Sequence, residues 1–308
     1  MTSSSSRGAE FYFHCVLVVI GVVGTATNGL ILSALVASKQ HKKHVLIVNQ
    51  NVLDLFACFF IFTTFSLKIC NIHLSGSLGY WLCTLLLSGF FIWFGTTGSV
   101  FNLASITIER YLKVVHATWS KAKLRNWMIN SAVAFSWIGA LIYNAALVFS
   151  TTDVIDGVCY PYAIWESDTA GLFESVWNFV TLYVNLLLIL IFCYWRILIA
   201  IRRQARVMAI HAVAGSSTAQ AQYNQIQSNV TKTMIFICAF HAISWLPTYI
   251  YLVITRLNLY HAFEVEGYYV SLIIAHLYTC TNPFVYAIKF EPVKEVLLRM
   301  ILCKRITE

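Results

Sequence analysis

Charge is what this sequence has least of. Only 11% of its 308 residues are charged and 59% are hydrophobic, where a soluble globular chain carries about a quarter charged. So few charges cannot clothe a soluble fold of this length, and lipid is the solvent that the composition fits. Other features are missing too. No basic n-region, short apolar core and cleavage site open the chain, which begins Met-Thr-Ser-Ser-Ser-Ser-Arg7, so no cleaved signal peptide is expected. The alternating segments of about ten residues that mark a membrane barrel are absent. So are solenoid repeats, linkers and low-complexity tracts beyond the serines.

What is present is a series of long apolar runs. A bilayer core about 30 Å thick takes roughly 20 apolar residues per helix, with every backbone group bonded inside the segment. Seven runs meet this: Phe11–Ala37, Val45–Cys70, Trp81–Lys113, Trp127–Phe149, Phe173–Ile201, Val230–Ile254 and Gly267–Ile288. The expected fold is an all-α membrane protein, a seven-transmembrane helix bundle. Glu291–Leu302 reads as a short amphipathic eighth helix on the cytoplasmic surface, with Val293, Val296, Leu297, Met300 and Ile301 as its apolar stripe. Residues 1–10 form a short outer N-terminus, 11–288 the membrane domain, and 289–308 the surface helix and tail.

Basic residues set the orientation. Of 21 lysines and arginines, 18 fall beside one set of span ends and only Arg7, Lys68 and Arg256 beside the other. The positive-inside rule then places the N-terminus outside the plasma membrane and the C-terminus in the cytosol. The net charge of +8 sits in short loops next to apolar spans, which suits anionic inner-leaflet lipid rather than nucleic acid. Under this topology Cys83 and Cys159 both face the oxidising side, where a disulfide is allowed. Cys15 and Cys70 also lie near that face, and nothing in their spacing pairs them. Cys303, beside basic residues at the end of the surface helix, is a palmitoylation candidate. The one sequon, Asn229-Val-Thr231, is cytosolic, so no N-glycan is expected.

Polar groups inside a span need a reason, because a charge at its centre costs about 2.5–3.5 kcal/mol even on a lenient scale. Asn28 lies in the first span and Asp54 in the second, within Asn49-Gln-Asn-Val-Leu-Asp54. The third ends in Glu109-Arg110-Tyr111, the sixth contains Trp245-Leu-Pro247, and the seventh closes in Asn282-Pro283-Phe-Val-Tyr286. With Trp137 in the fourth, this ordered set resembles the rhodopsin-like (class A) G-protein-coupled receptors over nearly the whole chain. The resemblance implies a receptor, not an enzyme, that takes an extracellular ligand and activates a heterotrimeric G protein. Arrestin and receptor kinases are further expected partners, with Ser216, Ser217, Thr218 and Ser228 as phosphorylation sites.

By the same resemblance Arg110 pairs with Glu109 at rest and is released when the sixth helix swings out. Tyr194 and Tyr286 then turn inward, and Pro247 and Pro283 supply kinks. Asp54, Ser99, Asn282 and Trp245 match the surroundings of the family's sodium pocket. A buried carboxylate otherwise stays protonated, so a cation or hydrogen-bond partners should accompany Asp54. The chain departs from the family in several places. Asn185-Leu186 stands where a proline is usual in the fifth span, and His116-Ala117 replaces His-Pro. His241 takes the place of a phenylalanine below Trp245, Tyr278 replaces a small polar residue, and Cys83 lies about two residues farther from Arg110 than is common.

Absences also narrow the ligand. The stretch Ile274-Ala-His276-Leu-Tyr has no lysine to bind retinal, and residues 88–97 have no acid to meet an amine. The outer face carries eight acids against three basic residues, which focuses cations. A basic or amidated peptide of neuropeptide type is the first expectation. Trp93, Trp165, Tyr249 and His276 are the candidate pocket residues, since aromatic faces hold a cation. A chemosensory receptor for a small non-peptide molecule is the alternative. A non-signalling decoy is a third reading, against which the intact Glu109-Arg110-Tyr111 stands.

Overall fold

The structure is a computed structural model that describes residues 2–161, 168–212, 218–257, 265–289 and 291–302. Of residues 2–7, 168, 204–212, 218–234, 256, 265, 282–289, 291, 292 and 301 only the backbone is described. Seven long helices follow one another: α1 (Thr2–Ala37), α2 (Val45–Cys70), α3 (Gly76–Val115), α4 (Asn126–Thr151), α5 (Asp168–Ala212), α6 (Thr218–Arg256) and α7 (Val265–Lys289). Among the described residues, the first six contain stretches long and apolar enough to cross a membrane. A shorter α8 (Glu291–Ile301) follows, with Val293 and Leu297 buried against the bundle and Lys294, Glu295 and Arg299 exposed.

The burial pattern is that of a lipid-solvated bundle. Large apolar side chains such as Phe135, Ile142, Leu188 and Trp195 point outward, while Asn28, Gln50, Asn51 and Asp54 are sealed inside. The helices approach closely where side chains are absent. A Cβ on Gly21 of α1 would stand 2.5 Å from the backbone nitrogen of Phe62 on α2. On α3, a Cβ at Gly98 would stand 2.8 Å from Leu53 Cδ2 and 3.0 Å from the Ser136 carbonyl oxygen. With lipid as apolar as leucine, such small residues let packing hold helices together.

Among the described residues, two helices contain π-helical turns. In α3, Cys83–Leu87 form a π-helical turn, and Gly89 follows with φ +75° before the helix resumes at Phe90. A π-turn takes an extra residue without breaking the helix, and together with the left-handed glycine it accommodates the unusual Cys83–Arg110 spacing. In α5, Phe179–Val184 form a second π-turn immediately before Asn185-Leu186, where the family's proline is missing. Among the described residues α1 runs from Thr2, nine residues before the apolar run that starts at Phe11.

Between α4 and α5 lies a hairpin of β1 (Asp153–Ile155) and β2 (Val158–Tyr160), antiparallel with Val154 opposite Cys159. Asp156 and Gly157 make its two-residue turn with φ 51° and 76°, the mirror-image turn that matches strand twist. A disulfide joins Cys83 to Cys159 with Cα atoms 5.4 Å apart, pinning the hairpin to α3.

Candidate functional site

Three groups of polar and aromatic side chains run down the bundle axis. The first lies midway and ties α1, α2, α3, α4 and α7 together. Asn28 donates to the Gly24 carbonyl at 2.9 Å and the Thr279 carbonyl at 3.1 Å, and accepts from Asn51 at 2.9 Å. Trp137 donates its indole N–H to Asn49 Oδ1 at 2.8 Å. Asn49 in turn donates to Asn102 Oδ1 at 2.8 Å and Ser136 Oγ at 3.0 Å. Asp54, with no exposed surface, accepts from Ser99 Oγ at 3.0 Å. The Gln50 amide nitrogen lies 3.4 and 3.5 Å from its two oxygens. The buried carboxylate is therefore accompanied by donors from the protein.

The second group lies at the end of α3 away from the hairpin. Arg110 is only 3% exposed, and its Nε is 3.8 Å from Glu109 Oε2. The shorter pair of Glu109 is with Lys113, one turn on, at 2.6 Å. Arg110 Nη2 reaches 3.5 Å from Nδ1 of His44, the residue capping α2. Burial, then the Arg110 guanidinium, pull the His44 pKa from 6.5 to about 4, so at neutral pH the imidazole is uncharged and adds no repulsion. Tyr111 and His116 meet at 3.0 Å. Tyr194 points inward from α5, with its hydroxyl 3.5 Å from Thr107 Oγ1 and 3.6 Å from Cys238 Sγ.

The third group is aromatic and lies toward the hairpin. Trp245, 2% exposed, has ring centroids of Trp93, Tyr249, His276 and His241 at 6.1, 6.0, 6.0 and 6.2 Å. His276 donates Nδ1–H to the Leu272 carbonyl at 2.7 Å, which leaves Nε2 as an acceptor. Tyr249 continues the line to Tyr183 at 5.5 Å and Phe179 at 6.1 Å. Glu174 accepts from Asn178, which itself accepts from Tyr143. Below Trp245, His241 stacks edge-on against Tyr278 at 4.8 Å. Pro247 falls inside α6, where it removes the bond to the Ile243 carbonyl.

The sequence-derived residues thus collect into these groups, with exceptions of position. Asn282, Pro283 and Tyr286 lie on α7, but their side chains are outside the described ones, as are those of Thr218 and Ser228. Trp165, Ser216, Ser217 and Cys303 are outside the described residues altogether. Sequence reasoning missed Gln50, Asn102, Ser136 and His44. A signal existed for Gln50 and Asn102, which sit four residues before Asp54 and three after Ser99 and so share their helix faces. For His44 there was none, because its contact with Arg110 bridges 66 residues.

The family model described as 7 transmembrane receptor (rhodopsin family) matches residues 27–286. The allatostatin-A receptor of Bombyx mori is 24% identical over 304 residues, 92% of this chain and 78% of that protein. Galanin receptor 2b of Danio rerio is 28% identical over 313 residues, 96% of this chain and 76% of that protein. The crystal structure of squid rhodopsin shares the fold, with a TM-score of 0.77 at 16% identity over 98% of this chain and 89% of that one. The chain is a multi-pass membrane protein of the rhodopsin family of seven-transmembrane G-protein-coupled receptors, a receptor and not an enzyme.

Proposed function

We propose that the receptor takes its ligand, a basic or amidated peptide, at the hairpin end of the bundle and activates a heterotrimeric G protein at the Arg110 end. In this reading the hairpin end faces outside and carries the N-terminus, which the distribution of lysine and arginine supports. The observation that carries the peptide reading is the line from Glu174 to Trp245. Glu174, joined through Asn178 to Tyr143, stands near the hairpin end of α5, and from Tyr249 the aromatic line leads through Trp245 to Trp93 and His276. A cation entering from the hairpin side meets the acid and then aromatic faces, which suits a basic side chain. The relatives named for allatostatin-A and galanin support a peptide ligand.

Trp245 couples this pocket to the other end. It is wedged among α3, α6 and α7, and Pro247 two residues on leaves α6 short of one backbone bond. A ligand that displaces Tyr249 or Trp245 biases α6, and movement of α6 uncovers Arg110 for the G protein. Phosphorylation of Ser216, Ser217, Thr218 and Ser228 would then recruit arrestin.

The test applies a panel of basic and amidated peptides to cells carrying the receptor and G-protein biosensors. A responding peptide should lose roughly tenfold or more in potency on Glu174→Gln, because a hydrogen bond to a charged group is worth about 1.5–3 kcal/mol. Unchanged potency would remove Glu174 from the site. Silence to every peptide, with basal activity that Arg110→Ala abolishes, would refute the peptide reading and leave a small non-peptide ligand.

A further inference from the structure

We propose that the side-chain amide of Gln50 takes the place of a cation beside Asp54, so that the bundle's stability does not depend on sodium. The rhodopsin family implies a sodium pocket around Asp54 and Ser99, and among the described side chains, which do not include that of Asn282, an amide nitrogen stands over this carboxylate where an ion would need oxygen.

The orientation of the Gln50 amide follows from a chain of partners that begins at an unambiguous donor. The indole nitrogen of Trp137 carries a hydrogen and has no lone pair to accept with. The Asn49 atom facing it at 2.8 Å is therefore the amide oxygen, and the Asn49 nitrogen must point the other way. That nitrogen lies 2.8 Å from Asn102 and 3.0 Å from Ser136 Oγ, whose own hydrogen goes to the Val133 carbonyl at 2.7 Å. Asn102 thus presents its oxygen to Asn49. Its nitrogen donates to the Leu46 carbonyl at 2.9 Å and to Gln50 Oε1 at 2.8 Å.

With its oxygen held by Asn102, Gln50 turns its two amide hydrogens toward Asp54. The nitrogen sits astride the carboxylate, 3.4 Å from Oδ1 and 3.5 Å from Oδ2, which is where a cation would be drawn most strongly. These are long for hydrogen bonds, and they place a positive dipole end over both oxygens. The same nitrogen also donates to Ser99 Oγ, whose hydrogen goes to Asp54 Oδ1 at 3.0 Å. Oxygen lone pairs are what a sodium ion needs, and N–H groups repel it. Gln50 and Asp54 are both fully buried, so the amide cannot swing out to solvent to make room. Trp137, Asn49, Asn102 and Gln50 together form a directional relay across α4, α2 and α3 that ends on the carboxylate. The relay stands apart from the peptide reading, and neither needs the other.

The test uses the purified, ligand-free receptor in detergent. Its thermal unfolding is followed in sodium chloride and in choline chloride at matched ionic strength. The wild type should unfold at the same midpoint in both salts. Gln50→Leu removes the amide, opens the space over Asp54 and should gain a sodium-dependent rise in midpoint, which Asp54→Asn in the same background should abolish. If Gln50→Leu does not fold, Gln50→Ala is the second variant, with the same expected gain. The proposal is overturned by a sodium-dependent rise in the wild type that Asp54→Asn removes, a result that needs no Gln50 variant. It is equally overturned if the folded Gln50 variant responds no more to sodium than the wild type.

Discussion

Replacing His44 with lysine should raise the receptor's basal signalling. Arg110 lies buried with its guanidinium 3.5 Å from the His44 ring nitrogen and 3.8 Å from Glu109, whose closer partner is Lys113. The inward position of Arg110 therefore relies on a neutral neighbour as much as on its acid. An ammonium about 4 Å away would repel it by roughly 4 kcal/mol at an effective dielectric of about 20. Lysine can bend its head toward solvent, since the site is only partly buried, and so relieve most of that repulsion. A residual 1–2 kcal/mol shifts a two-state balance by a factor of roughly 5 to 30. The assay is ligand-independent G-protein biosensor signal in cells, normalised to surface receptor. His44→Lys should exceed wild type by about that factor, while His44→Gln, neutral and similar in reach, should stay near wild type. Equal basal signal from the two variants at matched surface level would refute the role given to His44.

Other expectations follow from the same geometry. His44, with its pKa lowered to about 4, resists protonation in the folded protein until well below its ordinary 6.5. The unfolded chain takes up the proton first, so stability falls as pH drops from about 6.5 toward 4; the thermal midpoint of His44→Gln should fall less across that window than the wild type's. At Gly24 a Cβ would collide with the sulfurs of Cys58 and Cys280. Gly24→Ala should cost roughly 1–3 kcal/mol and lose most of that cost with both cysteines changed to alanine. At Gly21 the obstacle is the backbone of Phe62, so no side-chain change should rescue Gly21→Ala; equal rescue at both sites in detergent melts would contradict the packing described. The Cys83–Cys159 bridge closes 76 residues, which sets an upper limit of about 4.5 kcal/mol on its entropic contribution. Cys83→Ser, Cys159→Ser and the double variant should lower the melting midpoint equally; unequal losses would show that one thiol acts outside the bridge.

The sequence made some of this legible and hid the rest for identifiable reasons. The apolar run Val45–Cys70 coincides with α2, which the structure closes at Asn71 in the left-handed conformation. The motif residues Asn28, Asp54, Arg110, Trp137 and Trp245 all announce themselves as polar or bulky exceptions in apolar spans. The π-turns of α3 and α5 do not, since an extra residue in a helix leaves the apolar composition unchanged. Gln50 was visible as a polar residue beside Asp54, but its meaning depends on which way its amide points. That is fixed by Asn102 on α3 and ultimately by Trp137 on α4. Residue type and helical period reveal which face a side chain occupies, and only the packing of three helices reveals what it meets. His44 is the extreme case, a loop-end histidine whose significance is entirely its neighbour.

The most direct test of the account is G-protein activation by wild type and Arg110→Ala, compared at equal surface density across biosensors for the different G-protein classes. The account predicts that wild type activates at least one class, with basal or peptide-evoked signal, and that Arg110→Ala loses it while remaining folded at the surface. A signal that persists undiminished in Arg110→Ala would contradict the account.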